Sequence, residues 1–354
     1  MASATHSIPR SAGSVPEPVL SIRDLTVEFD TEDGVVRAVT GVGYDLHPGE
    51  VLGVVGESGC GKSVSMLSVL GLIPMPPGRI VSGEAVFRGE DLLKLPESRL
   101  RRIRGGPMAM IFQDPLTSLN PVLTIGDQIS EAIEVHHPGS SDAATRKRAV
   151  ELLRLVGVPS AEQRYTQYPH ELSGGMRQRA MIAMAIANDP TVLVADEPTT
   201  ALDVTIQAQI IEVLKAAQGE THAAIVLITH DLGLIAELAD RVVVMYAGRV
   251  VEIGDVFSIF DSPRHPYTAG LLRSLARLDA DVDRLEPIVG QPPSLIAPPP
   301  GCAFHPRCAL SQSRAACRTD VPELRALGSE GGHRSACHFA EELTAAAQPV
   351  GGSS

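Results

Sequence analysis

Tryptophan is absent from these 354 residues, and Phe, Trp and Tyr together make up only 3% of them. Ala, Val, Ile and Leu carry the hydrophobic content instead, the usual filling of a parallel sheet covered by helices. No stretch approaches the ~20 continuous apolar residues that span a bilayer. The opening segment, MASATHSIPRSAGSVPEP, has no apolar core of the secretory kind. The chain is therefore expected in the cytosol, where its five cysteines would not form disulfides. It also lacks a basic excess. A formal net charge of −12 argues against a duplex-binding surface, since phosphate contacts need clustered Lys and Arg.

Short, β-branched, fully apolar runs stand at 51–56, 191–196, 223–229 and 242–248, each bounded by turn residues. They read as strands buried on both faces, and helical patterns separate several of them. The fold class is α/β with a largely parallel sheet. Three further segments, VLSIRDLTVEF, VVRAVTGVGYDL and GEAVFRG, predict an antiparallel β layer beside it. From 114 to 172 apolar residues recur at spacings of three and four, as at Ile125, Ile129 and Ile133, which predicts a helical insertion. Residues 1–18 are expected to be disordered, 19–265 to form the main domain, 266–340 a cysteine-bearing extension and 341–354 a flexible tail.

GESGCGKS at Gly56–Ser63 matches G-x-x-x-x-G-K-[ST], after an apolar strand and before a helical run. The glycines Gly56, Gly59 and Gly61 let the backbone curl, so that N–H groups of the loop, Ser58 and Cys60 included, face phosphate oxygens. Lys62 would neutralise the β- and γ-phosphates of a nucleotide, and Ser63 would ligate Mg²⁺. Asp196 ends an apolar strand and suits a magnesium ligand; Glu197 follows at once, placed to polarise a water. Ser173, Gly174 and Gly175 open a strong helix former and offer a second anion site. Gln113 in IFQDP and His230 in ITHD complete the set. Cys60 fills space in the loop, and a thiol beside a helix start can be reactive, so alkylation is expected to inhibit and ATP to protect.

In this order the blocks resemble the nucleotide-binding subunits of ATP-binding cassette transporters, over about Val19 to Pro266. The resemblance implies a P-loop NTPase core and ATP hydrolysis. It implies LSGG on the γ-phosphate of a partner subunit's ATP, and Gln113 in the loop facing membrane subunits and near the magnesium. It also implies His230 as γ-phosphate sensor, Phe29 as adenine stacker, and Ala201, Leu202 and Asp203 at the subunit interface. A soluble cassette ATPase unlinked to transport is the rival, though those usually carry two cassettes or a long coiled coil.

Cys302, Cys308, Cys317 and Cys337 are spaced C-x5-C-x8-C-x19-C. Zinc favours closer pairs, and four thiolates suit an iron–sulfur cluster; free thiols remain the alternative. The segment HPYTAGLLRSL with GCAFHPRC and HRSACH resembles the C-terminal extension of oligopeptide and dipeptide importer ATPases. That resemblance implies a 4Fe–4S cluster on these four cysteines, with His305, His333 and His338 in reserve. It also implies a second ATPase subunit, identical or not, two transmembrane permeases and indirectly an extracytoplasmic solute-binding protein. The assembly would sit at the cytoplasmic face of the membrane. Nickel and glutathione importers use closely similar ATPases.

Overall fold

A computed structural model describes residues 17–200, 203–274, 287–312, 314–328 and 332–345. The expected disorder of 1–16, the interface residues Ala201 and Leu202, and the end of the tail lie outside them. Two sheets organise the chain. The first is antiparallel, in the order β2-β1-β4-β5, built from β1 (Leu20–Thr31), β2 (Gly34–Leu46), β4 (Gly78–Phe87) and β5 (Glu90–Asp91). In β1 the apolar residues Leu20, Ile22, Leu25 and Val27 are all fully buried. The spacing steps from two to three between Ile22 and Leu25, where a bulge shifts the register.

The second sheet runs β11-β12-β10-β9-β3-β8-β7-β6. Its parallel heart is β9 (Arg241–Tyr246), β3 (Val51–Val55), β8 (Ala224–Thr229), β7 (Val192–Asp196) and β6 (Met108–Ile111). Every residue of β3, β7 and β8 is buried, which is why these segments read as unbroken apolar runs rather than alternating ones. The antiparallel strand β10 (Arg249–Asp255) and the short β12 (Arg334–Ser335) and β11 (Arg325–Ala326) extend one edge. The sequence pattern marks neither β6 nor β10. β6 is only four residues long, and β10 carries a charged residue, Glu252, in its fully buried centre.

Between Gln113 and Leu172 lie helices Ile125–His136, Asp142–Leu155 and Ala161–Tyr165. The first opens with a capping box from Thr124 and Asp127, and buries Ile125, Ile129 and Ile133. Residues after Pro266 join the same core: Tyr267 and Phe304 are buried in it, and Ile288, Cys302 and Cys308 pack on its rim.

Candidate functional site

In an open parallel sheet, ligands bind beyond the carboxyl ends of the strands. Four of the candidate positions arrive there for that reason. The loop Gly56–Ser63 follows β3, Gln113 follows β6, Asp196 ends β7, and His230 follows β8.

The loop after β3 needs glycine where the backbone is left-handed and crowded. At Gly56 (φ 153°) an added Cβ would lie 2.2 Å from the Met245 carbonyl oxygen, and at Gly61 (φ 101°) 2.3 Å from that of Ala38. Gly61 caps the helix Lys62–Val69. The Lys62 ammonium, buried, donates to the carbonyls of Gly56 at 2.7 Å and Glu57 at 3.2 Å. Cys60 is buried, and burial pushes its thiol pKa up while Lys62 opposes the shift. That works against the reactivity expected of a thiol beside a helix start.

Across β8, the Ser63 hydroxyl donates to Asp196 Oδ1 at 2.7 Å. Burial first, and then neighbouring Glu197, push the Asp196 carboxyl above the usual range; Ser63 and Lys62 act in the other direction. A hydroxyl and a desolvated carboxylate side by side form a hard-oxygen donor set that fits Mg²⁺. Glu197 sits at φ 46°, a left-handed conformation that costs a non-glycine residue about 1 kcal/mol or more. Its N–H is held by the Ile228 carbonyl at 2.8 Å. Its carboxylate accepts from Gln113 Nε2 at 3.0 Å and from the Thr200 hydroxyl at 2.7 Å, and His230 Nδ1 lies 3.4 Å away. Gln113 thus meets Glu197 rather than Ser63 or Asp196. Thr200 escaped sequence reading although it stands in the same DEPTT block.

Other candidates stand apart. Ser173 caps the exposed start of helix Gly174–Ala185 through the Met176 N–H, and no hydrogen bond joins Ser173–Gly175 to the phosphate loop among the described residues. The half-buried ring of Phe29 packs on Gly78 in the antiparallel layer. Asp203 caps the helix Val204–Thr221. Gln113 also lines a groove with Leu67, Leu72, Phe112, Thr117 and Met184.

At the far end of the chain, Cys302, Cys308, Cys317 and Cys337 border one small hollow with Phe304 and Phe339, and none is in a disulfide. Burial pushes all four thiols up, Cys302 to about 11 and Cys337 to about 12, with the neighbouring thiols adding to the shift for both. Among the described residues no three His, Cys, Asp or Glu side chains are gathered closely enough to hold a metal ion. The four-cysteine expectation therefore finds its residues around one cavity, but not drawn into a ligand set.

The ABC transporter family profile matches residues 39–200, and that of the oligopeptide/dipeptide transporter C-terminal region matches 251–317. The dipeptide transport ATP-binding protein DppD of Bacillus subtilis is 53% identical over 82% of this chain and 87% of its own length. This chain belongs to the ATP-binding proteins of ABC transporters. It is an ATPase of the oligopeptide/dipeptide transporter class. The oligopeptide transport ATP-binding protein OppD of Mycobacterium tuberculosis is 52% identical over 92% of the chain, which spans only 53% of that longer relative. Among solved structures, the ATP-binding cassette MJ0796, dimeric with ADP and phosphate, superposes with a TM-score of 0.60 at 26% identity, over 67% of this chain and 98% of the other. No helix among the described residues is long and apolar enough to cross a membrane.

Proposed function

We propose that this ATPase works as one of a pair of subunits at the cytoplasmic face of a membrane, driving uptake of short peptides through two permeases supplied by a solute-binding protein. The observation that carries the reading is the pair of adjacent carboxylates at the end of β7. Asp196 is bound to the phosphate-loop Ser63, and Glu197 is fixed by Gln113 and Thr200. Peptide as cargo rests on the C-terminal match and on the relatives' names.

In this reading Lys62 exchanges its contacts to the Gly56 and Glu57 carbonyls for the β- and γ-phosphates, while the N–H groups of Gly56, Ser58, Gly59, Cys60 and Gly61 line the phosphate chain. Ser63 and Asp196, with Gln113 nearby, hold magnesium, which when bound offsets phosphate charge. Glu197 polarises the attacking water, and His230, 62% exposed at its side chain beside it, senses the γ-phosphate. Phe29 stacks on adenine. The exposed Ser173-Gly174-Gly175 helix start has no phosphate of its own to meet, so it serves the ATP of a second subunit. Leu72, Phe112 and Val135, exposed around the Gln113 groove, offer an apolar seat for a permease.

The residues from 266 onward form the extension, and its four cysteines hold a 4Fe–4S cluster. Four thiols around one cavity, two buried and two half-buried, are the right donors, and a multi-iron cluster needs them spread more widely than a single ion does. The test is reconstitution with the neighbouring membrane subunits in vesicles. ATP turnover should rise with protein concentration and be stimulated by peptide-loaded binding protein. Turnover independent of both would favour the rival, a cassette ATPase unlinked to transport; stimulation by nickel or glutathione would change only the cargo.

A further inference from the structure

Glu57, the second residue of the phosphate loop, has every polar group engaged. Its N–H donates to the Tyr267 hydroxyl at 2.7 Å, its carbonyl accepts from Lys62, and its carboxylate receives both arms of Arg307, at 2.7 and 2.9 Å. Arg307 comes from the other end of the chain, 250 residues away, in the turn His305–Arg307 that precedes Cys308. Its side chain is only 6% exposed. Guanidinium presents five N–H donors, and all have acceptors here. Nε donates to the Val289 carbonyl, Nη1 to Glu57 and the Tyr246 hydroxyl, and Nη2 to Glu57 and the Ile288 carbonyl. The guanidinium lies over Tyr246 and Phe304, and the Tyr267 ring packs on both.

This arrangement serves phosphate binding in two ways. A carboxylate inside a phosphate loop repels the ligand at short range, and a buried, bidentate arginine both neutralises it and turns it aside. Glu57 is also the residue whose carbonyl holds Lys62, so fixing Glu57 fixes the starting position of the cation that must reach the phosphates. We propose that Arg307 is a positioning residue for nucleotide binding, acting through Glu57 from the C-terminal segment. The inference rests on the assignment of the Gly56–Ser63 loop to the phosphates of ATP.

The test measures binding of Mg·ATP to the full chain, together with KM and kcat in the assembled transporter. Arg307→Ala should weaken ATP binding about ten-fold and raise KM to match, with kcat changed less than about three-fold. In the Glu57→Gln background, which sets its own baseline, Arg307→Ala should cost less than two-fold, because no carboxylate remains to be neutralised. Arg307→Lys, which keeps charge but cannot form the fork, should fall between wild type and Arg307→Ala. It also supplies the comparison if the alanine variant does not fold, as judged by thermal unfolding. Unchanged ATP affinity in Arg307→Ala or in Arg307→Lys, or an equal loss with and without Glu57, would overturn the proposal; a fall in kcat with no change in affinity would do the same. Lys62→Ala is the control for the underlying assignment: if that variant binds ATP normally, the phosphate-loop reading fails, whatever Arg307 does.

Discussion

The Ser63 hydroxyl donates to Asp196 across 2.7 Å, joining two residues 133 positions apart from the carboxyl ends of β3 and β7. A buried carboxylate whose pKa is raised binds protons more tightly folded than unfolded. The free protein is then stabilised by protonating it; that contribution is full below the unfolded carboxylate value and is lost as pH rises from there through the raised folded value. Asp196→Asn should therefore unfold at a higher temperature than wild type at pH 7 without nucleotide. It should also lose about a hundred-fold or more in turnover, since the magnesium ligand is gone. Calorimetry and steady-state ATPase assays read the two effects, and a variant both less stable and fully active would contradict the assignment.

Glu197→Gln keeps the hydrogen-bonding shape that Gln113 and Thr200 meet, but cannot take charge or a proton. Turnover should fall at least a hundred-fold, while Mg·ATP affinity stays within a few-fold. ATP should then trap a dimer on a sizing column, whereas ADP should not. Normal hydrolysis would remove Glu197 from its role.

His265 is fully buried, and desolvation pushes its imidazole down to about 3. Above its unfolded value of about 6.5 it is neutral folded and unfolded alike and confers no pH dependence. Below that value the unfolded chain gains a proton the folded one refuses, so stability declines as pH falls from about 6.5 towards 3, by about 1.4 kcal/mol per unit at most from this group. His265→Asn, which keeps an acceptor for the Tyr267 N–H, should be less stable at pH 8 and show a shallower decline below pH 6.5. Parallel curves for the two proteins would exclude His265 as a source.

Protein purified without oxygen should contain about four iron and four sulfide per chain and absorb in the visible. Cys317→Ala should lower both contents and leave Mg·ATP binding within two-fold. Iron-free protein in which Cys302, Cys308, Cys317 and Cys337 all react as thiols, besides Cys60, would establish the free-thiol reading instead.

Much of the cassette was legible because it is periodic and local. The apolar runs became β3, β7, β8 and β9, and the isoleucines 125, 129 and 133 became a buried helix face. β6 was not legible, since four residues carry too little pattern. The part of Arg307 was hidden for another reason: its partner is 250 residues away, and in GCAFHPRC the cysteines draw the eye. Thr200 was within view, but only its approach to Glu197 distinguishes it from a capping residue.

The sequence by itself determined the chemistry on offer: a glycine loop that can curl around phosphate, a lysine and serine after it, and two acids closing an apolar run. Those follow from residue type and spacing within one turn or one strand, where short-range sterics and hydrogen bonding suffice. The tertiary structure alone decided which distant groups meet: Asp196 with Ser63, Gln113 and Thr200 with Glu197, Arg307 with Glu57. Such meetings depend on strand order and on burial, and a desolvated charge settles on whatever complementary group the packed core brings within 3 Å.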